Sequence, residues 1–300
     1  MKSITISIKK IKIICITLIL LLCIYFIWGK LTSPYGEQKV SFIPSKSEKY
    51  TQGKLSFTIY KANKGVNQDI IYYFHGRNLD DAIWNDDTYY TSLIQQYWQK
   101  SNITPPTVVL VSYGPEWLLI PKNSMDKSGL MDDFISNLPQ IETKTGKPRN
   151  RILLGESMGG LNVLILGLSH PELFSKIASL CPGVYLVSPF SDFTEKKAAL
   201  KRTGADPKIA FGIYQMAKTY VSNEQEWKEI SPINLMEKAN TQYPELYLSC
   251  GLYDKYGNFE GTEALANLAI SKGVKTYWHP LYGGHCAIDI SSLADFLVIN

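Results

Sequence analysis

The stretch RILLGESMGGLNVLILGL, residues 151–168, carries the pattern that decides the fold of this chain. Residues 152–154 are typical of a buried strand, and residues 161–168 are typical of an apolar helix. The turn Gly-Glu-Ser-Met-Gly joins them, and its glycines would let strand and helix pack closely around Ser157. The Gly-x-Ser-x-Gly pattern is weak by itself, and a glycine-rich turn without chemistry is the alternative. The rest of the chain must therefore decide whether Ser157 is a nucleophile.

A serine hydroxyl is a poor nucleophile unless a base takes its proton, and the chain has only four histidines. His75 ends a predicted strand, His170 follows a predicted helix, and His279 lies inside a predicted strand, where structural roles are the usual ones. His285 instead lies in the glycine-loosened loop LYGGHCAIDI, between the last predicted strand and the last predicted helix. Hydrolases with a serine on such a turn have the order Ser, Asp, His, so we expect His285 to be the base.

The third member of such a set is a carboxylate that orients the histidine. The segment ELYLSCGLYDKYGN places Asp254 four residues past an apolar strand, between Ser157 and His285 in the chain. Asp289 is nearer to His285 in sequence, but it belongs to the final helical segment and suits a capping or surface role. We therefore favour Asp254 as the acid.

Acyl transfer also needs two hydrogen-bond donors for the developing oxyanion. The amide of Met158 is one candidate, because it follows the serine and opens a helix whose dipole adds positive charge. In the segment FHGRN, residues 74–78, Gly76 would let the backbone approach a substrate, which makes the amide of Arg77 the second candidate. The alternative is that His75 and Gly76 merely end a strand. We expect Glu156 and Met158 to matter for where they lie rather than for their side chains.

The N-terminus predicts a membrane segment. Residues 13–28 form an uncharged apolar run whose helix would rise about 24 Å, slightly short of the hydrocarbon core. Flanking lysines and terminal aromatic residues would help it span. We interpret residues 1–12 as a cytoplasmic basic tail and residues 13–28 as a transmembrane signal-anchor of a bacterial inner membrane, which leaves the rest of the chain outside the cytoplasm. Cleavage as a signal peptide, followed by secretion, is the alternative.

The net charge of +4 is concentrated in that N-terminal segment. Five of the 31 lysines and arginines lie in the first thirty residues, which hold no acidic residue. The remainder has 26 basic against 27 acidic side chains and is therefore about neutral. No basic face is left for nucleic acid, so we expect no nucleic-acid partner.

Short apolar strands alternate with helical patterns after a polar tether at residues 29–38. This alternation predicts an α/β domain over residues 39–300, with a mostly parallel central sheet and helices on both faces. Residues 184–243 break the rhythm and are interpreted as an insertion or cap over the carboxyl edge of the sheet, where ligands bind in such folds. The predicted strands are residues 39–43, 55–60, 69–74, 107–112, 151–154, 176–180, 246–249 and 275–279; the predicted helices are residues 87–100, 129–143, 158–168, 262–271 and 291–298.

Three cysteines lie outside the apolar run: Cys181, Cys250 and Cys286. In an oxidising compartment this number allows one disulfide and one free thiol. Cys250 and Cys286 flank the predicted catalytic loops and could be neighbours. Buried, unpaired thiols are the alternative.

The chain resembles the α/β-hydrolase superfamily and, within it, the putative-esterase family, over about residues 39–300. That family includes S-formylglutathione hydrolase, feruloyl and acetylxylan esterases, siderophore esterases and mycolyltransferases. The stretches YYFHGRN, RILLGESMGGLNVL, SHPELFSKIASLCPGV, LYLSCGLYD and YWHPLYGGHCAIDISSLADFL carry the resemblance. It implies Ser157 as nucleophile, His285 as base, Asp254 as acid, and Arg77 and Met158 as oxyanion donors. The membrane segment and residues 184–243 depart from the family pattern.

We therefore expect a serine carboxylic-ester hydrolase that works through an acyl-enzyme outside the cytoplasm, without a metal or cofactor. The substrate would be a small-molecule, glycan or lipid ester. An acyltransferase with a sugar or lipid hydroxyl as acceptor, and a non-catalytic hydrolase-fold envelope protein, are the alternatives. Candidate substrate contacts near the predicted site are His75, Trp84, Tyr113, Trp117 and Tyr253, although aromatic side chains more often pack in a core.

Overall fold

The computed structural model describes residues 8–32, 39–63, 65–114, 129–238 and 243–298. The chain divides into two units, residues 1–39 and residues 40–300. The described part of the first unit contains one helix, α1 (Ile8–Thr32). Its segment Lys9–Gly29 is long and apolar enough to cross a membrane, judged by length and composition. The helix extends beyond the apolar run because lysine is a good helix former and continues it at the N-terminal end.

One sheet of eight strands forms the centre of the described part of the second unit. The spatial order is first, second, fourth, third and then fifth to eighth, and the pairs from the fourth strand to the eighth are all parallel. The expected mostly parallel α/β sheet is therefore confirmed. The strands are β1 (Lys46–Gln52), β2 (Leu55–Lys61), β3 (Ile70–Phe74), β4 (Thr107–Ser112), β5 (Arg151–Glu156), β6 (Lys176–Leu180), β7 (Glu245–Gly251) and β8 (Thr276–Leu281).

Helices cover both faces of this sheet, which is why the inner strands consist of unbroken apolar runs. Along β3, Tyr72 and Phe74 belong to one hydrophobic cluster, while Ile71 and Tyr73 belong to a second cluster on the other face. The helices of the described part of this unit are α2 (Tyr90–Lys100), α3 (Leu130–Thr145), α4 (Met158–Ser169), α5 (Phe193–Thr203), α6 (Pro207–Ala217), α7 (Glu224–Ile230), α8 (Pro232–Glu237), α9 (Asn258–Ser271) and α10 (Ile290–Phe296), with 3₁₀ turns at Ile83–Asn85 and Pro171–Leu173.

The predicted strands from residues 55–60 onward and all five predicted helices are present, with ends displaced by at most four residues. The strand predicted at residues 39–43 is wrong, because these residues are irregular and the first strand is β1. Ile43 is 65% exposed, and its amide donates to the side chain of Gln99 in α2. The sequence of β1, KSEKYTQ, does not predict a strand, because β1 is a mostly exposed edge strand without apolar alternation.

Residues between β6 and β7 contain the four helices α5 to α8. Ala205, Ala210 and Tyr214 form a small hydrophobic cluster of their own in this region. The region also contacts the main domain closely, since a side chain at Gly261 in α9 would overlap the carbonyl of Val184. The helices also pack onto the domain, since Ala217, Trp227 and Met236 belong to the same hydrophobic cluster as Tyr72 and Phe74 of β3.

Candidate active site

Ser157 occupies the turn between β5 and α4, which we name the elbow (residues 155–159). Its φ of 51° and ψ of −112° lie in a region that residues with a Cβ rarely adopt. A Cβ on Gly155 would overlap the carbonyl of Gly159, and a Cβ on Gly159 would overlap the carbonyl of Phe74. Both glycines are therefore required for the close approach of strand and helix, as the sequence pattern predicted.

The structure brings Ser157, His285 and Asp254 together. His285 Nε2 lies 2.9 Å from Ser157 Oγ, and His285 Nδ1 lies 2.9 Å from Asp254 Oδ2. The three residues follow β5, β8 and β7, whose carboxyl ends share one edge of the sheet. Asp254 is only 3% exposed, so its carboxylate is shielded from water on the side away from the imidazole.

The acid loop (residues 252–257) packs closely against the histidine loop (residues 282–289). Asp254 Oδ1 accepts a hydrogen bond of 2.8 Å from the amide of Tyr256, whose ring lies 4.1 Å from the imidazole of His285. The amide of Tyr253 donates to the carbonyl of Gly283 at 2.9 Å. A side chain at Gly251 would overlap the carbonyl of Gly284, so the two loops can approach this closely only with glycine there.

Asp289 has the structural role expected of it. Its side chain accepts a hydrogen bond from the amide of Ser292 and thereby caps the N-terminus of α10. This hydrogen bond holds the pKa of Asp289 below its usual value. The prediction of a capping group is confirmed.

The two predicted oxyanion donors line the same cavity as Ser157. Met158 is the first residue of α4, and Arg77 follows β3 in the turn that begins at Gly76. Within the part of the chain that the structure describes, neither amide donates to a protein acceptor. Both N–H groups are thus available to a ligand, which is what an oxyanion site requires.

This cavity has a volume of about 720 Å³, within the range of small-molecule sites. Tyrosines and aliphatic side chains form most of its wall, and two of the latter come from α6 between β6 and β7. Sequence reasoning missed these residues, because nothing in local pattern distinguishes a cavity wall from a core. The tyrosines are Tyr89, Tyr90, Tyr185 and Tyr256; the aliphatic residues, in addition to Met158, are Leu79, Leu93, Leu161, Ile213, Met216, Ile288 and Ile290.

Three of the candidate substrate contacts lie in the core instead of lining this cavity. Trp84 is 1% exposed and packs against Trp98, and the hydroxyl of Tyr113 donates to Asp133 at 2.8 Å. His75 is 3% exposed, with Nδ1 2.7 Å from the carbonyl of Gly76, and burial lowers its pKa. These positions follow from strand and helix packing, which turns most large aromatic side chains inward.

Tyr253 does not line the cavity either. Tyr253 is 65% exposed and packs edge to face against Tyr282, outside the residues that line the cavity. Its neighbour Asp254 is buried instead, at 3% exposure. Trp117 lies outside the described residues.

A disulfide joins Cys181 to Cys286, and Cys250 is a buried free thiol. This matches the arrangement of one disulfide and one free thiol, with Cys181 rather than Cys250 as the partner of Cys286. The thiol of Cys250 lies 3.5 Å from Asp254 Oδ2. The histidine loop must cross the end of β6 to reach Ser157, which places Cys286 over Cys181 at that strand end.

Glu156 is the residue whose side chain sequence reasoning undervalued. It is 2% exposed and accepts hydrogen bonds from the hydroxyls of Tyr73 and Tyr89. Burial raises its pKa, and these hydrogen bonds oppose that shift. No motif points to this arrangement, because its partners lie far away in the chain.

Comparison with known proteins agrees with this architecture. Residues 48–287 match the family described as Putative esterase. Among solved structures, a ferulic acid esterase is 18% identical with a TM-score of 0.58, covering 85% of this chain and 95% of that one. An arylesterase is 17% identical with a TM-score of 0.59, covering 88% and 86%. A structure described as a putative esterase from Staphylococcus aureus is 15% identical with a TM-score of 0.57, covering 84% and 81%.

At these identities the solved structures establish the α/β-hydrolase fold alone. No curated protein shows a significant match in sequence. The family match is of a different kind, because it spans most of the chain and runs from β1 to the histidine loop. The chain therefore belongs to the Putative esterase family and is a carboxylic-ester hydrolase of the α/β type.

Proposed function

We propose that this chain hydrolyses carboxylic esters outside the cytoplasm, through an acyl-enzyme formed on Ser157. The observation that carries the proposal is the continuous hydrogen-bonded chain from Ser157 Oγ through His285 to Asp254, with both links at 2.9 Å. A strained elbow presents the serine at the floor of a cavity, which is where a nucleophile must stand to meet a substrate.

In the proposed first step Ser157 Oγ attacks the ester carbonyl, while its proton moves to His285 Nε2. The carbonyl oxygen becomes an oxyanion that the amides of Arg77 and Met158 stabilise. The tetrahedral intermediate then collapses, and the bond to the alkoxide breaks as His285 returns the proton to the leaving alcohol. An acyl ester on Ser157 remains.

Water resolves the acyl-enzyme by the same route. His285 Nε2 takes a proton from water as its oxygen attacks the acyl carbonyl, and the second intermediate releases the carboxylic acid and restores the Ser157 hydroxyl. Asp254 accepts a hydrogen bond from Nδ1–H throughout, which keeps Nε2 available to the serine and stabilises the imidazolium. These steps use only side chains and backbone amides of the chain.

The extracytoplasmic location rests on α1. Its segment Lys9–Gly29 would rise about 31 Å as a helix, enough to span a hydrocarbon core. Lysines at its N-terminal end favour a cytoplasmic N-terminus, which leaves the hydrolase unit on the outer side of the membrane. Removal of this segment as a signal peptide would give the same compartment without the anchor.

Assay of Ser157→Ala in detergent-solubilised full-length protein tests the reaction. We expect hydrolysis of p-nitrophenyl acetate to fall at least about 10³-fold, because alanine lacks the hydroxyl on which the proposed acyl-enzyme forms. A fluorophosphonate probe should label the wild type at Ser157 and leave the variant unlabelled. Wild-type turnover in the variant would overturn the proposal. Added alcohols report on acyl transfer, since ester products in place of free acid would favour a transferase.

A further inference from the structure

Glu156 is a buried carboxylate beside the nucleophile that the proposed mechanism does not use. It ends β5, directly before Ser157, and is 2% exposed. Burying a carboxylate is costly, and burial raises the pKa of Glu156. Among the described residues, no lysine or arginine forms an ion pair with it. Its stabilisation must therefore come from hydrogen bonds.

Tyrosine hydroxyls supply most of those hydrogen bonds. Tyr73 donates to Glu156 Oε1 at 2.5 Å, Tyr89 donates to Oε2, and Tyr90 donates to the hydroxyl of Tyr73 at 3.0 Å. The backbone of Gly76 adds an interaction that also favours the charged form of Glu156. Two hydroxyl donors on an acceptor-only group fit an ionised carboxylate.

The partners of Glu156 belong to the segments that surround the oxyanion site. Tyr89 and Tyr90 stand at the start of α2, and Gly76 begins the turn that carries the amide of Arg77. The side chain of Glu156 packs directly beneath that turn, since a Cβ at Gly76 would stand 3.3 Å from Glu156 Cγ. Glu156, Gly76 and both tyrosines line the cavity.

We propose that Glu156 is a positioning residue for transition-state stabilisation: its carboxylate, held by Tyr73 and Tyr89, fixes the turn at Gly76 so that the amide of Arg77 stays aligned with that of Met158. The inference rests on the proposed function, because it assigns a role within the same reaction. The carboxylate acts through the backbone of the turn and does not touch the substrate carbonyl.

A group that aligns an oxyanion donor contributes in the transition state more than in the ground state. Loss of the hydrogen bonds that align the donor should therefore lower kcat and leave KM nearly unchanged. Direct removal of one oxyanion donor typically costs about 10²–10³ in kcat, so a displaced donor should cost less. A residue that only supported the fold would lower stability without this selective loss of kcat.

The test compares Glu156→Gln, Tyr89→Phe and the double variant, in full-length protein with p-nitrophenyl acetate. We expect each single variant to lower kcat about tenfold, with KM within about twofold of the wild type. Because both changes break the same link, the double variant should be little slower than either single variant. Tyr97→Phe is the matched control: Tyr97 lies on the same helix and donates to Asp295 at 2.9 Å, away from the cavity.

Wild-type kcat in Tyr89→Phe and Glu156→Gln, or fully additive losses in the double variant, would overturn the inference. An equal loss in Tyr97→Phe would also overturn it, because the effect would then be general to α2. If Glu156→Gln does not fold, Tyr89→Phe still decides the matter, since it removes one hydroxyl only. Ser157→Ala distinguishes failure of this inference from failure of the proposed function. If that variant is inactive while Glu156→Gln keeps the wild-type kcat, the inference fails and the proposed function stands.

Discussion

Ser157 is held in its unusual backbone conformation from both sides of the elbow. Its amide donates to the carbonyl of Leu180 at 2.8 Å, and its carbonyl accepts from the amide of Leu161 at 3.0 Å. A residue with such φ and ψ costs on the order of 1–3 kcal/mol, and the surrounding structure must impose it. This strained conformation places the Ser157 hydroxyl at the apex of the turn, within hydrogen-bonding distance of His285.

Substitution of the two aspartates distinguishes the acid from the cap. Asp254→Asn should lower kcat by about 10³–10⁴-fold, because the amide N–H can donate to Nδ1 and stabilise the tautomer whose Nε2 carries the proton and cannot accept one from the serine. Asp289→Asn should retain activity, since asparagine is also a good N-cap for α10. Turnover of p-nitrophenyl acetate by both variants checks this, and a reversed pattern would move the acid to Asp289.

At the residue scale, chain order and local pattern were sufficient to select Ser157, His285 and Asp254, which the structure brings within hydrogen-bonding distance. They were insufficient for Trp84 and Tyr113, which the structure places in the core. A residue on a loop after a parallel strand has one possible location, the carboxyl edge of the sheet. An aromatic side chain near that edge can point into the core or into the cavity, and only packing decides which.

Among the elements, the disulfide between Cys181 and Cys286 ties the end of β6 to the histidine loop. The two cysteines are 105 residues apart, so the crosslink should stabilise the fold by roughly 2–4 kcal/mol by restricting the unfolded chain. We expect dithiothreitol to lower the melting temperature of the wild type. The double variant Cys181→Ser/Cys286→Ser should melt lower and show no response to reductant. A wild type whose melting temperature ignores the reductant would contradict this prediction.

Helix α6 supplies Ile213 and Met216 to the cavity wall. An acyl chain packed there would gain about 0.8 kcal/mol per buried methylene, or about fourfold in kcat/KM. Ile213→Asn should therefore reduce kcat/KM for p-nitrophenyl butyrate more than for the acetate. Phe193→Asn on α5 is the control, because Phe193 is 67% exposed and lies outside the cavity lining. An unchanged ratio of butyrate to acetate in Ile213→Asn would show that the acyl group binds elsewhere.

For the whole molecule, α1 is the candidate membrane segment on which the proposed location depends. The large apolar side chains of its described part are exposed, from Ile11 at 47% to Tyr25 at 74%. We expect the full-length protein to stay in the membrane fraction through high-salt washing and to be released by detergent. Protease added outside spheroplasts should digest the hydrolase unit. Release by salt alone would exclude a retained span, and a mature N-terminus beyond residue 28 would show cleavage.

The sequence by itself determined the α/β architecture, the elbow and the order of the catalytic candidates. Strand and helix patterns, and the glycines of a tight turn, depend on residues close together in the chain, so their signal is local. The edge strand β1 left little local signal, because it is polar and finds its place only by pairing with β2.

The tertiary structure alone decided what surrounds the serine. Glu156 meets Tyr89 across 67 residues and Tyr73 across 83, and Cys181 meets Cys286 across 105. The aliphatic part of the cavity wall at Ile213 comes from α6, one of the helices between β6 and β7. The sequence of these helices shows no catalytic pattern. Such contacts depend on how separate elements stack at the carboxyl edge of the sheet, and that stacking is a property of the folded chain as a whole.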